Sequence, residues 1–125
     1  MNKDLIELQK GSPATAVVVF DSDISQLENK VILEVENKKN ISKATLNFVS
    51  NKLSVLSSQA DIMYVVIRNI AGLDEILQES LIGLIKDRVM MGLSLPENCI
   101  IVFTIKDKTE LKNIPQEIYK HIIEC

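Results

Sequence analysis

Charged and polar side chains follow three hydrophobic runs of this 125-residue chain, and their types could do chemistry. They are Asp21-Ser22-Asp23, Arg68-Asn69 and Lys106-Asp107. If the runs are parallel strands of one sheet, these groups meet at the carboxyl ends of the strands, where open α/β sheets bind their ligands. An Asp-Ser-Asp sequence is also typical of a solvated turn that bonds its own backbone. A site and a turn therefore both remain open interpretations of the two aspartates.

The elements that must position these groups are buried strands separated by helices. Runs rich in aliphatic and β-branched residues at 15–20, 31–35, 62–67 and 100–105 predict strands. The runs 62–67 and 100–105 are apolar throughout, which is typical of parallel strands covered on both faces. Helical spacing of apolar residues predicts helices after Ser42, over 75–88 and after Pro115. This alternation favours an α/β fold, a three-layer doubly wound and mainly parallel sheet with helices on both faces. Residues 1–125 are expected to form a single α/β domain, with a polar lead-in at 1–14.

Two of the predicted strands are expected to pair with each other. The runs 62–67 and 100–105 are apolar throughout, and the segment between them carries a predicted helix. A right-handed crossover through that helix places the two strands side by side and parallel at the centre of the sheet. Val66 and Val102 should then be fully buried.

The second half of the chain, from Ala60 to His121, carries an ordered set of motifs. A hydrophobic run ends in Arg68-Asn69, a helical segment ends in Asp87-Arg88, and a Leu-Pro-Glu-Asn loop precedes the next run. A Pro-led helix then follows. This order resembles the AAA+ ATPases, most closely their MoxR-like and dynein-related branch, and the resemblance implies an AAA+ core.

The resemblance also implies that the catalytic residues of that family are missing. The Walker B aspartate, which holds the metal, and the glutamate after it, which activates water, fall on Arg68 and Asn69, which can do neither. The sensor asparagine falls on Lys106 and the arginine finger on His121. These four are degenerate positions, and the lid subdomain that follows the family's core is expected to be absent. The resemblance therefore implies no cofactor and no metal.

A phosphate-binding loop is missing as well. Such a loop needs Gly-x-x-x-x-Gly-Lys-Ser/Thr, because its backbone amides surround the phosphates and its lysine neutralises their charge. When the stretch from Gly11 is laid beside that motif, Ala16 replaces the second glycine, and Val17 and Val18 replace Lys and Thr. Because these residues supply neither charge nor hydroxyl, the protein is expected neither to bind nor to hydrolyse ATP.

The acidic pair supports an alternative function. The stretch from Val18 to Asp23 resembles the first motif of haloacid-dehalogenase phosphatases, an apolar strand ending in Asp-x-Asp. That resemblance implies Asp21 as nucleophile, Asp23 as acid/base and Thr104 as the family's Thr/Ser. The pair is also similar to that of response-regulator receivers, although no aspartate ends the run 62–67 to accept phosphate. The alternative is therefore a small phosphate-handling enzyme or receiver-like domain, without a later acidic pair placed to hold magnesium.

Composition narrows the function classes further. The net charge is −3, with no basic stripe that would argue for nucleic acid, and no apolar run approaches the ~20 residues of a membrane span. Cys99 and Cys125 lack metal spacing and suit free thiols in a reducing cytoplasm. Abundant Ile, Lys and Asn suggest a bacterial or phage source. The leading hypothesis is a non-catalytic cytoplasmic interaction module, a pseudoenzyme whose partner is a true AAA+ subunit, another protein or a second copy of itself.

Overall fold

Strands and helices alternate along the part of the chain that the structure describes. The structure is a computed structural model, and it describes residues 16–35, 39–120 and the backbone of 123–124. The strands are β1 (Val17–Phe20), β2 (Lys30–Leu33), β3 (Met63–Ile67), β4 (Val89–Met90), β5 (Leu93–Ser94), β6 (Cys99–Ile105) and β7 (Ile123–Glu124). The α-helices are α1 (Lys43–Ser57), α2 (Glu75–Asp87) and α3 (Gln116–Tyr119), and 3-10 helices span Asp21–Gln26 and Lys108–Asn113.

The main sheet has the strand order β2-β3-β6-β1-β7, and every pair in it is parallel. The central strands β3 and β6 lie side by side with Val66 opposite Val102, and neither valine has any exposed surface. The predicted pairing of these two runs is therefore confirmed. Counted along the chain, the five strands have the order 2-3-4-1-5. Flavodoxin-like folds, which include the response-regulator receivers, have the order 2-1-3-4-5. The receiver-like alternative is thus wrong at the level of topology.

Helices cover both faces of this sheet, but unequally. The connections from β2 to β3 and from β3 to β6 both step across the sheet towards β7. Because such connections are right-handed, α1 and α2 lie on the same face of the sheet. The connection from β1 to β2 runs the opposite way, and its 3-10 helix lies on the other face. Apolar contacts agree, because Val49, Leu53 and Leu77 belong to one buried cluster while Ile24 and Leu27 belong to the other. The α/β fold class with a mainly parallel sheet is confirmed.

The ends of the α-helices follow local side-chain chemistry. Ser42 precedes α1, and its Oγ accepts a hydrogen bond from the Thr45 amide at 3.1 Å. Asp74 caps α2 in the same way through the Ile76 amide. Arg88 ends α2 in the left-handed region with φ 61°.

A short hairpin of β4 and β5 follows α2, in a stretch predicted only as the end of a helix and a loop. Its two-residue turn, Met91-Gly92, has φ angles of 50° and 85°, as hairpin turns with a right-handed twist require. The Arg88 guanidinium holds the hairpin to β6, since Nη2 donates to the carbonyls of Pro96 (2.7 Å) and Cys99 (2.5 Å).

Some sequence predictions fall outside the described residues. The polar lead-in at 1–14 and His121 are among them. None of the helices described by the structure is long and apolar enough to cross a membrane.

Candidate functional site

Side chains from three neighbouring strands meet at the carboxyl end of the sheet. Arg68, directly after β3, donates from Nε to Asp21 Oδ1 (2.8 Å) and from Nη2 to Oδ2 (2.6 Å). Thr104, in β6, donates from Oγ1 to the same Asp21 Oδ1 at 2.8 Å. We call Asp21, Arg68, Asn69 and Thr104 the carboxyl-end network.

The strand order explains why these residues meet. Because β6 lies between β1 and β3, Thr104 sits between the ends of the strands that carry Asp21 and Arg68. Thr104 is fully buried, and its Oγ1 also accepts a hydrogen bond from the Asn69 amide at 2.8 Å. Asn69 has φ 55°, in the left-handed region that asparagine tolerates better than most residues. The turn after β3 is thereby held against β6.

Electrostatics keep Asp21 ionised. The hydrogen bonds from Arg68 hold the pKa of the Asp21 carboxyl below its usual value, against the opposing effect of burial, and the Thr104 hydroxyl lowers it further. The same pairing with Asp21 raises the pKa of Arg68. The Asp21 side chain is 22% exposed and that of Arg68 41%, so water reaches the outer side of the pair. Both carboxylate oxygens of Asp21 accept hydrogen bonds from the side chains of Arg68 or Thr104.

The second aspartate of the acidic pair belongs to a 3-10 helix. Residues Asp21–Gln26 form this helix directly after β1, so the solvated-turn interpretation is wrong for this segment. Asp23 is 9% exposed, and Gln26 Nε2 donates to its Oδ1 at 3.5 Å. The structure thus brings Thr104 to Asp21 directly, and it places Asp23 on the helix that begins there.

The positions that the sequence resemblance predicts to be degenerate differ in their surroundings. Arg68 and Asn69 are members of the network, whereas Lys106 is exposed and acts on Asp21 only through its charge. The Lys106 amide donates to Glu110 Oε1 at 2.5 Å, which ties the end of β6 to the following 3-10 helix. His121 lies outside the described residues.

The side chains of the carboxyl-end network do not suit a magnesium nucleotide. The sequence resemblance predicts the metal-holding carboxylate at position 68, and the residue there is Arg68, a cation that pairs with the nearby Asp21 carboxylate. Within residues 16–35 and 39–120, no group of three or more His, Cys, Asp or Glu side chains could hold a metal ion.

This chain is similar to a known protein in fold rather than in sequence. No protein-family model matches it, and no curated protein matches its sequence. Its fold is similar to the crystal structure of a DNA polymerase III gamma subunit-related protein from Thermotoga maritima, with a TM-score of 0.64 and 9% sequence identity. The likeness covers 99% of this chain and 44% of that protein, so the chain spans less than half of its length. At this identity the likeness shows the α/β fold alone.

A small cavity adjoins the carboxyl-end network. It measures ≈230 Å³, below the roughly 300–1,000 Å³ typical of small-molecule pockets, and Glu34, Arg68 and Asn69 are among its lining residues. Asn69 Oδ1 is buried beside it without a hydrogen-bond partner among the described residues. The cavity is therefore an extension of the network rather than a pocket of nucleotide size.

The sequence predicts that polar residues gather at this end of the sheet, but it does not predict the pairing among them. From the sequence, Arg68 is only a residue that cannot hold a metal, and Thr104 is only a candidate for phosphatase chemistry. The sequence does carry a signal for this pairing. Asp21 follows the run 15–20 and Arg68 follows the run 62–67, so two opposite charges are expected at the carboxyl end of the sheet.

Proposed function

We propose that this chain is a non-catalytic interaction module, an AAA+-like core without the nucleotide machinery, that binds a protein partner. The observation that carries the proposal is the bidentate pair of Arg68 with Asp21, joined by Thr104. It occupies the crevice where an open α/β sheet would hold a ligand.

Three features of the site support a non-catalytic role. Arg68 carries a positive charge that disfavours a divalent cation beside it. Asn69 has no carboxylate with which to activate water. The network satisfies its charged groups internally, so a ligand would have to break a bidentate, charge-assisted pair before it could bind.

The partner class is protein. The similar solved structure is named for its relation to a subunit of DNA polymerase III, and a subunit acts within an assembly. We propose a true AAA+ subunit, another protein or a second copy of the chain as the partner, in the cytoplasm of a bacterial or phage-infected cell. Nucleic acid and membrane are not part of the proposal.

The first test is nucleotide binding. At 1 mM ATP with magnesium, a site with a dissociation constant of about 10 µM would add roughly 2.7 kcal/mol and raise the melting temperature by several degrees. We expect no shift and no ATP turnover. A shift that is lost in Arg68→Ala but retained in the exposed-site control Lys106→Ala would contradict the proposal.

The second test is partner binding. The immobilised domain is incubated with host lysate, the retained protein is identified by mass spectrometry, and the complex is rebuilt from purified components. We expect saturable binding that survives Asp21→Asn, because that change removes the charge but keeps the shape. A partner that binds the wild type but not a folded Asp21→Asn variant would show that the carboxyl-end network itself takes part in binding.

A phosphate-handling enzyme remains the second candidate, because one contact favours it. Thr104 Oγ1 lies 2.8 Å from Asp21 Oδ1, the proximity that the phosphatase resemblance implies for these residues. Incubation with acetyl phosphate followed by intact-mass analysis, and with p-nitrophenyl phosphate, tests it. We expect neither an adduct nor released product. A phosphoryl adduct that disappears in Asp21→Asn would place this candidate first.

A further inference from the structure

The strand β2 lies at an edge of the main sheet. It pairs with β3 on one side, and no strand among the described residues pairs with its other side. A groove of ≈1010 Å³ runs between β2 and α1. Phe48 and Val55, on α1, line this groove and are 55% and 54% exposed. Open backbone groups and apolar side chains thus lie next to each other.

The register shows which backbone groups of β2 are open. The Tyr64 amide donates to the Asn29 carbonyl at 3.0 Å, and Lys30 lies opposite Tyr64. Because strand residues direct their backbone groups to alternate sides, Asn29, Val31 and Leu33 face β3. Lys30 and Ile32, and Glu34 directly after the strand, therefore direct their amides and carbonyls outward.

The charged residues of this edge match those of a second β2 edge only when the two edges are antiparallel. Lys30 and Glu34 lie two residues either side of Ile32. In an antiparallel pair of two β2 edges centred on Ile32, each Lys30 faces Glu34 of the second copy. All three outward residues then fall at hydrogen-bonded positions of the ladder. A parallel pair in the same register would instead place like charges together, which is destabilising.

Charged residues at a sheet edge commonly prevent pairing with foreign strands. Here the same charges would discourage such strands and match only a second β2 edge in the antiparallel orientation. A two-fold axis through Ile32 also brings α1 of one copy towards α1 of the other, so that Phe48 and Val55 can cover each other across the groove.

We propose that two copies of this chain form a symmetric dimer by antiparallel pairing of their β2 edges about Ile32, and that the two sheets become one continuous sheet. The proposal deepens the proposed function, since it rests on the domain being an interaction module and names a second copy as its partner. Such an interface is isologous, so every contact away from the two-fold axis occurs twice.

The mass in solution is the first measurement. Size-exclusion chromatography with light scattering should give 28.0 kDa for the full chain, twice the 14.0 kDa of the monomer, at micromolar concentration. A mass of 14.0 kDa that persists to about 1 mM overturns the proposal.

Charge reversal locates the interface. Lys30→Glu or Glu34→Lys alone converts both symmetric pairs into like-charge pairs and should weaken dimerisation roughly tenfold or more. The double variant Lys30→Glu/Glu34→Lys restores the complementarity and should recover the dimer. Lys30 Nζ also donates to the Leu27 carbonyl, so the melting temperature of each variant is measured to exclude a folding defect.

Two apolar substitutions complete the experiment. Phe48→Ser should weaken the dimer, while Ile76→Ser, at a site on α2 that is 71% exposed, should leave it unchanged. A dimer that is insensitive to both single charge reversals, or that the double variant does not recover, would overturn the β2 interface. A monomer that binds no ATP and still captures another protein would refute this inference alone and leave the proposed function standing.

Discussion

Asp21 stands where a ligand-binding carboxylate would stand in this kind of sheet, yet its partners are internal. Arg68 and Thr104 account for both of its oxygens, and the pairing joins residues 47 and 83 positions apart in the sequence. At the residue scale, the contacts of Asp21 are structural ones between neighbouring strands. The network therefore should be detectable as a contribution to folding rather than to catalysis.

The stability contributed by Asp21 should depend on pH. Its pKa is lowered in the folded protein, so the ionised carboxylate stabilises the fold above the unfolded-state value of about 3.9. This contribution is lost as the pH falls through the lowered folded-state pKa. Because the Arg68 side chain is 41% exposed and screened by water, we expect Asp21→Asn to cost only about 1 kcal/mol at pH 7 and less at pH 3.

Urea denaturation of wild type and variant at the two pH values measures this difference. Glu79→Gln, which removes an exposed carboxylate from α2, should change the free energy of unfolding by less than about 0.5 kcal/mol at pH 7. An equal deficit for Asp21→Asn at both pH values would contradict the assignment of the effect to its ionisation.

At the scale of elements, the two central strands behave as their composition predicts. Every residue of β3 and β6 is buried, which is the pattern of parallel strands covered on both faces. The ends of the helices also followed from local signals such as the Ser42 cap. The hairpin of β4 and β5 did not, since two-residue strands are too short to show any periodicity.

Charge introduced at the centre of the sheet should be strongly destabilising. Val66 has no exposed surface and lies opposite Val102, in a cluster with Val17, Val19 and Ile100. Val66→Asp would bury a carboxylate without a partner there, and we expect it to cost several kcal/mol, roughly 3–5, or to prevent folding.

Circular dichroism and urea denaturation measure this cost, with Lys106→Ala as the control. Lys106 is exposed, and that change should stay within about 0.5 kcal/mol of wild type. Normal stability of Val66→Asp would refute the assignment of β3 to the centre of the sheet.

At the scale of the whole molecule, the strand order decides which residues meet. Only because β6 lies between β1 and β3 do Asp21, Arg68 and Thr104 form one network. The same order places β2 at the edge, beside α1 and its exposed Phe48. The candidate site and the proposed interface are thus two consequences of one topology.

The Cys99 thiol should report the unfolding of the whole molecule. Cys99 begins the central strand β6 without exposed surface, and burial raises the pKa of its thiol to about 12. In a Cys125→Ser background, a chromogenic disulfide reagent at pH 8 should therefore react at least about 10³-fold more slowly with native than with urea-unfolded protein. Reaction of the native protein at the unfolded rate would contradict the burial of this strand.

The α/β class, the burial of β3 and β6, and the strand ends at which polar residues gather can all be predicted from the amino-acid sequence. Those properties follow from local patterns: uninterrupted apolar runs, helical spacing and capping residues. Three features become visible only in the folded protein: Arg68 reaches Asp21, Thr104 joins them, and β2 lies at an edge of the sheet. Each of these depends on where β1 and β2 lie in the sheet, and periodicity along a chain does not show which strands far apart in the sequence become neighbours.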